Sequence, residues 1–210
     1  MKPSRQVARW GGAALMLGGA LFLVNKLNEI SRVLLHRPMA DMIAGQDIPL
    51  IFLGQVCLVV GFVAFYRVFT SRAQGAAKIG LLLLSGGGVV LAVGHLVFFS
   101  PPPALAASLR PLAGALESLF FLVILGVLAL VVGLLLFGIV ALRRPILGRW
   151  NALPLLTGLA GVGFIVLADE VVSGPFLVVR TLFALGIVGL GLALSLEPRG
   201  SAEARSTVGG

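Results

Sequence analysis

The sequence predicts an all-α integral membrane protein: a six-transmembrane-helix bundle with both termini cytoplasmic, one domain over residues 1–196 and a disordered tail over 197–210. Three observations carry that prediction. Hydrophobic residues make up 59% of the chain and charged residues 11%, with a mean hydropathy of +1.09, whereas a water-soluble domain is charged at about a quarter of its positions. Six apolar runs of membrane-spanning length alternate with short segments that hold most of the charge. On a six-span path the side of the amino terminus receives 11 of the 16 basic residues and 2 of the 8 acidic ones, and the opposite side receives 5 and 6. That split, +9 against −1, is a strong positive-inside signal.

The same placement explains the net charge of +8 without nucleic acid. Binding to DNA or RNA needs a contiguous basic face with polar or aromatic readers, and the basic residues here sit between apolar runs instead. At 210 residues the six spans leave no room for a soluble domain. Cys57 is the single cysteine, so an intrachain disulfide or a multi-cysteine metal site is excluded. Thirteen arginines against three lysines, beside abundant Gly, Ala, Leu and Val, suggest a GC-rich prokaryotic genome and hence a bacterial inner membrane.

The first helix is expected over about 10–35. Its basic leader of Lys2, Arg5 and Arg9 resembles a secretory signal, but no A-x-A-like cleavage site follows, so the helix is read as retained. Arg37 and Pro38 end it. The second, over 48–67, begins with Pro49 in its first turn, where a missing N–H costs nothing, and ends with Tyr66 and Arg67 at the interface. The third, over 79–99, is 21 residues without a formal charge, closed by three prolines. Gly80, Gly87 and Gly94 recur every seventh residue along it, which makes it the expected central helix of the bundle. Gly54 and Gly61 repeat that interval in the second helix, and Gly126 and Gly133 in the fourth. The fourth is expected over 116–142, about 40 Å at 1.5 Å per residue, so that it tilts or protrudes. Arg143, Arg144, Arg149 and the interfacial Trp150 precede a fifth helix over 152–170, and Ser173 to Pro175 turn the chain into a sixth over 175–196.

Ionisable and polar groups inside spans are costly and mark candidate sites. Asn25, Glu29, Gln55, His95, Glu117, Asp169, Glu170 and Arg180 come from all six helices, and all fall in the outer half on this topology. The inner half holds little beyond Ser85 and Thr157. The expected shape is an outward-facing polar pocket above a sealed apolar floor. Each residue also has a structural role open to it. Arg180 can pair with Asp169 or Glu170, Glu117 can complement a helix N-terminus, and Gln55 can bond a neighbouring helix. His95 is equally suited to a hydrogen bond, a proton, a metal or a porphyrin-type cofactor, and no cofactor is specified.

Catalytic patterns are weak. Ser85 and His95 are ten residues apart on one helix, about 15 Å, too far for a nucleophile and its base. Two histidines cannot form a three-histidine zinc site, although His95 with two of Glu29, Glu117 and Asp169 could hold a metal. The Gly86–Gly88 tract lacks the strand and the Lys-Ser/Thr of a phosphate loop. In size and span number the chain resembles small bacterial exporters and rhomboid-type intramembrane proteases, without the proline-glycine signature of the first or the Gly-x-Ser-Gly of the second. The leading expectation is a non-enzymatic structural or accessory subunit of a larger membrane complex. It would pack on other subunits, or on itself, through its glycine faces and hold a cofactor or lipid near His95. A small-solute or ion binding or transport protein is the alternative, and a membrane-embedded metal-dependent enzyme the third reading.

Overall fold

The computed structural model describes residues 5–35, 48–99, 113–167 and 174–196, with side chains over 5–24, 51–96, 121–167 and 174–196. The described residues form helices and turns and no strand. In chain order the helices are α1 (Arg5–Leu35), α2 (Ile48–Phe69), α3 (Ala76–Phe99), α4 (Ala113–Arg143), α5 (Leu153–Val166) and α6 (Gly174–Ser195), with a short 3-10 turn at Gly148–Trp150 before α5. Among the described residues six segments are long and apolar enough to cross a membrane, which makes the chain a multi-pass membrane protein by length and composition.

The boundaries differ from the expected ones where charge was read as a stop. α1 begins at Arg5 rather than near residue 10, because Arg5 and Arg9 stay exposed while the backbone continues its hydrogen bonds. α5 is described to Val166, with Leu167 as its C-cap, so the stretch 168–170 lies outside the described residues. Only six residues separate α2 from α3, and Gly75 closes that turn at φ +53°, a left-handed conformation natural to glycine. Its carbonyl then accepts from Lys78 N and Ile79 N to start α3.

Each helix packs on the next, and α6 returns to α1, so the six close a ring in chain order. The glycine contacts show that neighbours run antiparallel: Gly11 meets Ala64 while Gly18 meets Leu58, and Gly80 meets Phe137 while Gly94 meets Val123. α3 has two extensive neighbours, α2 and α4, as every helix has two. The expectation of a central third helix is therefore corrected. What fills the ring is side chains, above all Phe65, Phe69 and Phe137, whose ring centroids lie 4.6 to 6.4 Å apart.

The exposed positions are as apolar as the buried ones. Ile79, Leu82, Val89, Val93 and Leu96 line the outer face of α3, and Val178, Leu182 and Leu185 that of α6. A surface of this kind suits acyl chains and not water. At one end of the bundle Arg5, Arg9, Arg67, Arg72, Lys78, Arg143, Arg144 and Arg149 are all exposed, with no acidic side chain among the described residues there. We call this the basic end.

Candidate functional site

The inward tracks of α2, α3 and α4 are buried along most of their described length. Along the inward track of α2, exposure rises from 0% at Phe69 and 1% at Phe62 to 5% at Leu58 and 8% at Gln55. On α3 it rises from 0% at Leu81 to 7% at Leu91, and His95 is half-buried. α4 follows, with Leu134 fully buried and Val127 only partly so.

Gln55 and His95 are brought to one level by the α2–α3 pairing. A Cβ on Gly88 would stand 3.2 Å from the Phe62 ring. One heptad farther from the basic end on each antiparallel helix lie Gln55, seven residues before Phe62, and His95, seven after Gly88. Seven residues are about two helical turns, so the two side chains share the faces that make that contact.

The polar groups of the bundle differ in how they are satisfied. Thr157 Oγ1 donates to Leu153 O at 2.8 Å and Ser85 Oγ to Leu82 O at 3.2 Å, so each is satisfied by its own helix. Thr181 Oγ1 does the same with Leu177 O. Gln55 Oε1 is buried without a hydrogen-bond partner. Leaving such an acceptor unmade costs about 1–3 kcal/mol. Ser195 Oγ is buried without a partner too, but it is pressed against Gly12, where even a methyl group would overlap it.

His95 Nδ1 lies 2.9 Å from Leu91 O. A carbonyl only accepts, so Nδ1 carries the hydrogen, and in the neutral ring Nε2 is the nitrogen with the lone pair. Gln55 Oε1 is thus a buried acceptor without a partner at the level of His95, and a species that donates hydrogen bonds or carries positive charge would satisfy it.

Arg180 is buried in α6, with its guanidinium carbon 4.6 Å from the Phe176 centroid and 5.4 Å from that of Phe164. Phe164 stacks on Phe183 at 6.2 Å, and Phe183 meets Phe22 of α1 edge-on at 6.3 Å. These four phenylalanines were not singled out from the sequence. Phe176, one turn before Arg180, is the part that helical spacing could have found; Phe164 comes from a different helix. Leu21 lies against Gly54 and Phe22 against Phe183, so Phe183 shares the level of Gln55. Arg180 is three residues beyond it, about 4.5 Å farther from the basic end.

Asn25 and Glu29 belong to α1 and Glu117 to α4, but their side chains lie outside the described residues, as do Asp169 and Glu170 entirely. Among the described residues no three of His, Cys, Asp and Glu come together as a metal site.

The glycines are used within the chain. An added Cβ at Gly80, Gly87 or Gly94 would meet α4, at Gly126 or Gly133 it would meet α3, and at Gly54 or Gly61 it would meet α1. No family model, curated protein or solved structure matches this chain.

Proposed function

We propose that this protein is a non-enzymatic membrane protein that binds, and in the course of transport releases, a small hydrogen-bond-donating or cationic solute. Its site would lie between α2 and α3, open at the end opposite the basic one. The observation that carries the reading is the buried, unpartnered Gln55 Oε1 at the level of His95. By the positive-inside rule the basic end, with both termini, would be cytoplasmic, and the site would face out of the cell.

The test is a thermal-shift screen of the purified protein against small amines, ammonium ions and alkali and divalent metal chlorides, together with native mass spectrometry for any co-purified non-lipid mass. At least one class should raise the melting temperature, and Gln55→Leu should abolish that rise. Gln55→Leu should itself be as stable as wild type or more so, since it removes an unpaired buried acceptor. No shift with any class and no co-purified mass would overturn the reading, as would a shift that Gln55→Leu leaves intact.

A second reading, an accessory subunit of a larger membrane complex, is favoured by Gly86. It is exposed on α3 between Leu82 and Val89, and a Cβ there would meet nothing within 4 Å. The glycine faces already filled by this chain's own helices offer a partner no such surface. On this reading Gly86→Leu would release a co-purifying subunit or dissociate a homo-oligomer; a monodisperse monomer in mild detergent, unchanged by the substitution, would exclude it.

A further inference from the structure

The basic end carries more order than an orientation signal requires. Topogenic charges act during insertion and need no fixed geometry. Here the connection from α4 to α5 is pinned. Ile146 and Leu147 are both 5% exposed, buried beneath the helices, and Leu147 N donates to Asn151 Oδ1 at 2.8 Å. Arg149 lies over the half-buried Trp150 ring, 5.2 Å from its centroid. Arg144 Nη1 donates to Gln74 Oε1 at 3.1 Å, tying this connection to the one between α2 and α3. Arg143, Arg144, Arg149 and Lys78 are thereby gathered around two joined loops, all exposed, with no acidic side chain among the described residues beside them.

We infer that these loops seat the phosphate headgroup of an anionic phospholipid. Guanidinium forks match phosphate oxygens in a bidentate way, and a pinned loop loses little freedom on binding them. A lipid is favoured over a soluble anion by what adjoins the cations. Ile79 and Leu82 on α3, and Ile139 and Leu142 on α4, are exposed on the first turns above the loops and offer an acyl chain an apolar track. Trp150 lies beside Arg149 where indole rings prefer the headgroup level.

The experiment is native mass spectrometry of the full chain released from mixed micelles with equal phosphatidylglycerol and phosphatidylcholine. Wild type should retain phosphatidylglycerol preferentially. Arg144→Gln with Arg149→Gln should abolish most of that preference, because the bidentate contacts are lost. The control is Arg5→Gln with Arg9→Gln, which removes equal charge from α1 at the same end and should preserve most of the preference. Arg144→Lys with Arg149→Lys keeps the charge and loses the fork, and should fall between. Equal retention of both lipids by wild type would overturn the inference. So would an equal loss in the α1 control, which would reduce the effect to the general field of the basic end. Displacement of the lipid by millimolar inorganic phosphate would assign the seat to a soluble anion and also overturn it.

Discussion

At Gly133 a Cβ would stand 2.7 Å from Gly80 O and 2.9 Å from Leu84 N, and across the contact a Cβ on Gly80 would stand 2.8 Å from Gly133 O. These are backbone atoms, which cannot rotate aside as the end of a side chain can. Gly133→Ala should therefore push α3 and α4 apart and destabilise the bundle by about 1–3 kcal/mol, the usual range for overpacking. Gly86→Ala, on the exposed side of the same α3, should change stability little. Equilibrium unfolding of the two variants in mixed micelles separates them, and equal stability would contradict the reading of the contact. The seven-residue glycine interval was legible in the sequence as a mark of close approach. Its partner was not, because spacing gives the face of one helix and says nothing about which helix meets it. Gln55 was legible as a polar residue in an apolar run, but the missing partner of its oxygen is visible only once its neighbours are placed.

Among the elements, α6 shows how a buried arginine is accommodated in an apolar span. Arg180 lies against two aromatic faces, Phe176 from its own helix and Phe164 from α5. A planar guanidinium can address both rings, whereas a lysine ammonium is a compact, strongly hydrated point charge. Arg180→Lys should lower stability by about 0.5–2 kcal/mol, the scale of cation–π contacts from exposed to desolvated settings. Phe164→Leu should lose a similar amount, and the double variant less than the sum, since both act on one contact. Thermal unfolding in detergent measures all three; strict additivity would deny the coupling. The α4–α5 connection is the opposite case. Its arginines stay outside, while Ile146 and Leu147 hold the loop from beneath.

At the scale of the whole molecule, the six described helices, antiparallel to their neighbours in a ring, put the start of α1 and the end of α6 at the basic end. Carboxy-terminal fusions should accordingly fluoresce with a green fluorescent protein reporter and be silent with alkaline phosphatase, which folds only outside the cytoplasm; the reverse result would invert the proposed orientation. The sequence by itself determined that the chain is helical, where its six long apolar segments lie and how unequally charge is shared between the two sides. Those properties are local: length, polarity and the sign of each short connection are readable residue by residue. Only the tertiary structure decided that the described helices close a ring with none of them at the centre, that the glycine stripes of α3 and α4 face each other, and that the oxygen of Gln55 is left without a partner. The physical reason is the solvent. In water a helix reveals its buried face by being apolar on one side, but in lipid Leu82 against acyl chains and Leu84 in the core are chemically alike, so periodicity cannot tell inward from outward.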